Sequence, residues 1–302
     1  MKRKVVQQGP STLMVSLPSK WAKENGLRKG DEIDLEEAEG SLVLRTRRKS
    51  SLQKTSVRLA DYGILSSRAI GALYKQGFDE IEVIFRTQKD MDIVNKNLNE
   101  FIGFEIVSQN TKGCVIKEVS APIDESFELI LNRTVLLLKS VAEDTYNGLS
   151  SGDTNMLKTL PARDATINKY ANYCRRIINK FGYKEQHKAP MIYYVIEELE
   201  NLGDEYKYLV ELVLENGYRL DKAQLELLQS INTMLDLLYR LILKFEVKNA
   251  EPLSAAYYSF SSRLKQLEKT KEVKKSRVLD SLSGMSHMIM NMLGPLMTME
   301  LK

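Results

Sequence analysis

Four polar side chains sit at helical spacings where their chemistry needs an explanation. Between residues 160 and 178, Leu160, Ile167, Ala171, Cys174 and Ile178 recur on one helical face. At 100° per residue Asp164 falls inside that apolar stripe, with Asn168 on its edge one turn further on. A carboxylate pointing into a bundle is costly to bury unless a cation or a metal pairs with it. In the following helical stretch Glu200 and Asp204 are four residues apart and share a face. Like charges at that spacing repel by roughly a few tenths of a kcal/mol in an isolated helix, and a divalent cation would reverse the sign. Glu197, Glu198, Glu200 and Asp204 also fit a solvated face beside the stripe Leu199, Leu202, Tyr206 and Leu209, and spacing alone leaves both readings open. Oxygen donors of this kind favour hard ions such as Mg, Ca or Mn, with Fe or Zn admitted if a His or water joins. His187, in a loop, and His287, beside Met285, Met288 and Met290, read as interface or core side chains rather than ligands.

A second chemistry is concentrated at the other end of the chain. Residues 1–50 hold eleven Lys/Arg against seven Asp/Glu, so the whole net charge of +4 resides there. Lys2, Arg3 and Lys4, expected on a first strand, and Lys20, Lys23 and Arg28, around a short helix, are cations suited to nucleic-acid phosphates. Ser11 and Thr12 in the GPST turn could donate to backbone or bases. Surface pairing with Glu36, Glu37 and Glu39 accounts for the same cations equally well.

The elements that position these groups follow from period and punctuation. Strands are expected at Lys4–Gln7 and through Leu13, Val15 and Leu17, then a helix Ser19–Asn25 with Pro18 at its start and Gly26 closing it. A turn at Gly30-Asp31 precedes Ile33 and Leu35, and Leu42 and Leu44 follow the Gly40 turn. Such a unit is too short to close its own core, and two copies sharing one barrel would remedy that. Residues 46–54 read as a basic linker in which Arg45, Arg47, Arg48 and Lys49 could touch phosphates. From 55 to 120 the period alternates as β-α-β-α-β-β, giving a small α+β layer structure with helices on one sheet face. Within it Asp61 is expected to cap a helix ending at Gly77, and Thr87 with Asp90 forms a capping-box-like start. After Pro122 the period is helical throughout, in six segments at about 124–149, 154–181, 190–216, 221–248, 253–270 and 272–300. Their lengths suggest an internal repeat of two three-helix bundles, about 122–218 and 219–302. Pro161 should begin or kink the second segment.

No Gly-rich phosphate loop and no nucleophile–base set is present, so the sequence points to no enzyme. Cys114 and Cys174 lie in apolar periodic segments and read as buried free thiols. The start MKRKVVQQG lacks a signal-peptide core, and the longest apolar run, Met285–Met299, is broken by Ser286, His287, Asn291 and Pro295. A cytoplasmic address with no membrane insertion is the expectation.

Two family resemblances sharpen this organisation. The run LPSKWAKENGLRKGDEIDL within residues 1–48 resembles the SpoVT/AbrB swapped-hairpin DNA-binding family. That resemblance implies a homodimeric β-barrel lying on double-stranded DNA. Glu200-Asn-Leu-Gly-Asp204 after an apolar run resembles the E-R-I-G-D motif of PhoU-type phosphate-signalling proteins. It implies tandem three-helix bundles over about 122–302, with acidic pairs on two helices of each bundle holding metal. Glu200 and Asp204 match that pattern. Asp164 matches too, with Asn168 in place of a second acid, and the second bundle offers only Asp280 and Gly284, facing Ser259 and Ser262. The whole-chain order, an AbrB-like head, a small α+β domain and a PhoU-like all-α tail, resembles archaeal phosphate-uptake regulators. The implied function is a transcriptional regulator of phosphate homeostasis. The competing class is an adaptor that dimerises through its head and regulates a phosphate transporter or signalling kinase by protein contact.

Overall fold

The computed structural model describes residues 1–38, 40–45, 52–120, 126–269 and 276–301. The basic linker at 46–51, the boundary at Pro122 and the expected break at 270–272 lie outside these residues.

The head consists of two separate antiparallel hairpins and one short helix. Strands β1 (Val5–Gln8) and β2 (Thr12–Val15) pair with Val5 opposite Val15, and β3 (Asp34–Ala38) and β4 (Ser41–Arg45) pair with Leu35 opposite Leu44. Between them α1 (Ser19–Glu24) stops where Gly26 turns left-handed at φ 63°, and the Leu27 N–H reaches back to the Ala22 carbonyl at 2.9 Å. Strand β1 begins at Val5, so Lys2, Arg3 and Lys4 precede the strand instead of riding on it. Among the described residues the single chain closes no barrel. None of its described side chains from 1 to 45 is buried, and Leu13, Leu35, Leu42 and Val5 are each more than 60% exposed.

The middle unit is a four-stranded sheet in the order β5-β6-β8-β7. Strand β5 (Lys54–Arg58) runs parallel to β6 (Glu80–Ile84), which pairs antiparallel with β8 (Gly113–Glu118), itself antiparallel to β7 (Phe104–Asn110). Helices α2 (Ser66–Gln76) and α3 (Gln88–Asn99) supply Ile70, Tyr74, Met91 and Val94 to a core with Val57, Ile81, Val83 and Ile116. Thr87 and Asp90 form the full reciprocal capping box, and Gly77 ends α2 at φ 102°. Asp61 does not cap α2. The chain makes two 3-10 turns, Leu59–Asp61 and Gly63–Leu65, because Gly63 takes φ +52° and interrupts the helical path until Ser66.

The helical body follows: α4 (Ser126–Ser151), α5 (Thr154–Lys158), α6 (Leu160–Phe181), α7 (Ala189–Asn216), α8 (Lys222–Leu243), α9 (Val247–Glu268) and α10 (Ser276–Glu300). Pro161 lies in the first turn of α6, where its missing N–H does no harm. The break expected at 249–252 falls earlier, at 244–246. There Glu246 holds Lys244 and Lys248, and Pro252 is carried inside α9 within its first two turns. Helices α4, α6 and α7 pack together, as do α8, α9 and α10, and contacts of α7 with α10 and of α4 with α8 join them into one continuous core. Cys114 and Cys174 are buried free thiols. Burial pushes the Cys174 thiol up to about 12 and that of Cys114 up to about 11, so neither is a ready nucleophile.

The middle unit is fastened to the body by one stretch of α6. Arg176 is fully buried, donates to the Tyr74 carbonyl at 2.8 Å, pairs with Glu118 at 3.2 Å and lies over the Tyr74 and Phe104 rings. One turn on, Lys180 bridges Asp79 and Glu118, and Asn179 donates to the Lys75 carbonyl at 2.8 Å.

Candidate functional site

The cations of the head stand open to solvent. Lys2, Arg3, Lys4, Lys20, Lys23 and Arg28 are all exposed, as are Ser11 in the β1–β2 turn and Thr12 at the start of β2. Lys20 has only a loose partner in Glu24 at 3.9 Å on the exposed side of α1. The backbone N–H of Arg28 is held by Asp31 at 2.7 Å, which fixes the turn that presents its side chain. Exposed cations on hairpins whose apolar faces are also exposed form a surface that is both chargeable and incomplete.

The three acids of the helical body are divided between two cations on the α6–α7 seam, Asp164 and Asp204 at Lys207 and Glu200 at Arg175. Asp164 is 3% exposed and accepts from Lys207 Nζ at 2.9 Å, and the same ammonium reaches Asp204 at 3.3 Å. Glu200 and Glu197 of α7 are taken by Arg175, a side chain 1% exposed that also donates to Asn172 at 3.0 Å. Burial raises the Asp164 and Glu200 carboxyls above their ordinary range, more than Lys207 and Arg175 respectively pull them back. Lys207 is raised as well: its own burial works to lower it, and its carboxylate neighbours Asp164 and Asp204 outweigh that and favour the ammonium. Asp164 is the more deeply buried, and its desolvation decides the balance. Among the described residues Asp164 Oδ1 and Asn168 Oδ1 have no hydrogen-bond partner, and a Cβ on Gly203 would meet Asp164 Oδ1 at an ordinary contact distance of 3.4 Å.

Two cations, Lys207 and Arg175, are shared among the four carboxylates of this seam, and among the described residues no group of three or more His, Cys, Asp or Glu side chains is placed to hold a metal ion. In the second bundle Asp280 is exposed while its neighbour Ser281 is buried, and Ser259 and Ser262 face solvent. His287 lies on the α10 surface with Nδ1 2.7 Å from the Ser283 carbonyl. Sequence reasoning missed the internal cations Arg175 and Lys207, although Arg175-Arg176 stands between Cys174 and Ile177 in an otherwise apolar run. Removing Lys207 as Lys207→Met is expected to cost about 2 kcal/mol at neutral pH, discounted for its partial exposure. Asp164→Asn in the same chain should restore most of it, as read from urea denaturation of the four-variant cycle.

Comparison with known proteins bears on both ends. Residues 6–52 match the family model described as antidote-toxin recognition MazE, bacterial antitoxin. The head is similar to a MazE/AbrB-type domain. That head, with its two open hairpins, is followed by a fold similar to the crystal structure of the phosphate transport system regulatory protein PhoU from Streptococcus pneumoniae. The two share 16% identity and a TM-score of 0.48, over 59% of this chain and 95% of that one. No curated protein matches the chain. Among the described residues no helix is long and apolar enough to cross a membrane.

Proposed function

We propose that the protein is a homodimeric DNA-binding regulator whose MazE/AbrB-type head contacts double-stranded DNA and whose helical body answers to phosphate supply. The observation that carries the DNA reading is the head itself. Two hairpins of about forty-five residues leave Val5, Leu13, Leu35 and Leu42 in water, beside seven exposed Lys and Arg side chains among the described residues. A second copy laid against those apolar faces supplies the missing core and doubles the cationic surface in one step. Lys2, Arg3, Lys4, Lys20, Lys23 and Arg28 then act as phosphate contacts, with Ser11 and Thr12 as hydrogen-bond donors at the hairpin tip. The link to phosphate rests on the Glu200-Asn-Leu-Gly-Asp204 motif, and a phosphate transporter or signalling protein is the partner class it implies.

The test is sedimentation and electrophoretic shift of the full chain. The expected result is a dimer that retards duplex DNA. Changing Leu13 and Leu35 to glutamate should give a monomer with weak DNA binding and an unchanged helical content. A dimer that fails to shift any duplex would favour an adaptor that uses the head only to dimerise.

A further inference from the structure

One end of the middle unit gathers features that neither the head nor the helical body uses. In this sheet the C-terminal ends of β5 and β6, the start of α2, the start of α3 and the tip of the β7–β8 hairpin all lie on the same side. Arg58 pairs in register with Ile84, Ile84 pairs with Gly113, and the Phe85 N–H donates to the Lys112 carbonyl at 2.9 Å. The opposite end, with Tyr74, Asp79 and Glu118, is the one docked on α6. The free end therefore faces away from the helical body.

Five cations occupy it: Arg58, Arg68, Arg86, Lys89 and Lys112, all exposed and none in an ion pair among the described residues. The acids there are Asp61 and Asp90, with Asp92 a turn deeper. Asp90 is engaged by the Arg86 and Thr87 backbone N–H groups at 3.1 and 3.0 Å. The cations thus outnumber the acids.

Amid this charge the turn after β5 raises an apolar knob. Ile64 is 100% exposed, and Tyr62 and Leu65 are about half exposed at 48% and 51%. The knob is built rather than slack. The buried Ser66 hydroxyl lies 2.7 Å from the Gly63 carbonyl and 3.0 Å from the Leu59 carbonyl and shares its one proton between them, which ties both 3-10 turns to the first residue of α2.

We propose that this end of the middle unit is a docking surface for an anionic lipid bilayer, with the five cations on headgroup phosphates and Tyr62, Ile64 and Leu65 in the interfacial layer. A bilayer surface satisfies both halves of the observation at once: charge complementarity for the cations and an apolar layer a few ångströms deeper for the knob. A nucleic-acid backbone answers the cations but leaves Ile64 without an apolar counterpart, except as a wedge between bases. The surface is peripheral, in keeping with the absence of a membrane-crossing helix among the described residues.

Co-sedimentation of the full chain with phosphatidylglycerol-containing vesicles, against pure phosphatidylcholine vesicles, tests this. The expected result is binding to the anionic vesicles alone, weakened about tenfold by Ile64→Ser, the scale of removing one large apolar side chain from the interface. A variant with Arg58, Arg86 and Lys112 all changed to glutamate should lose it. Both substitutions lie on exposed positions, and duplex binding by the head should be unchanged in each. No binding to anionic vesicles overturns the proposal. So does binding that neither variant weakens, which would place it on the head. Loss of duplex binding in the charge-reversed variant, without any effect of Ile64→Ser on vesicles, assigns the surface to nucleic acid and overturns it as well.

Discussion

A chain carrying Lys2→Glu, Lys4→Glu and Arg3→Glu together is expected to bind duplex DNA at least about a hundredfold more weakly than the parent at near-physiological salt. Each phosphate neutralised by a cation adds roughly 0.9 to the exponent of the salt dependence, and a dimer presents every contact twice. The three residues precede β1 and are fully open, so the substitutions disturb no packing. Fluorescence anisotropy with a labelled duplex reads the loss directly. A change of less than threefold would move the DNA contact away from the N-terminus, toward Lys20, Lys23 and Arg28 on and after α1.

The largest expected effect on stability is at the joint between the middle unit and the helical body. Arg176→Ala removes a fully buried guanidinium, leaving the Tyr74 carbonyl without that donor and Glu118 with Lys180 as its remaining cation. Because Lys180 still pairs with Glu118, the cost comes from the cavity left by the side chain and the lost donor to Tyr74, about 3 kcal/mol. Denaturation should show the middle unit separating as an earlier transition, since Arg176 anchors it to α6. The joint also has a definite pH dependence. Burial works to raise the Asp79 carboxyl, but Lys180 and the Gln53 N–H, at 2.7 Å, overcome it and hold the group below its ordinary range. A depressed value in the folded state stabilises above the unfolded pKa of about 4, and that contribution fades as pH falls through the folded value. Asp79→Asn should therefore flatten the acid limb of the first transition, while a parent whose joint is insensitive to acid would show that Asp79 contributes no linkage.

How much of this was legible in the sequence depends on the range over which each feature is decided. The Gly26 and Gly77 helix stops and the Thr87–Asp90 capping box are settled within a few residues, and they stand where the sequence places them. The head's shortage of core is legible from its length alone, and Leu13 and Leu35 stand exposed accordingly. The start of α2 was misplaced because Asp61 is a good cap in isolation, and nothing local announced that Gly63 would turn left-handed beneath Ser66. Pro252 misled in the same way, since a proline breaks a helix only where its missing N–H matters. The acidic groups were located but their partners were not. Asp164, Glu200 and Asp204 follow from periodicity on single helices. Their pairing with Lys207 and Arg175 is made across α6 and α7, and periodicity carries no information about contacts between helices.

Salt dependence tests most directly whether the head binds DNA through its cations as a dimer. Binding of the full chain to a duplex, measured over a series of salt concentrations, should give a slope of log K against log salt of about −5 or steeper, as expected for several phosphate contacts from each copy. A slope near zero, or no duplex binding even at low salt, would contradict it.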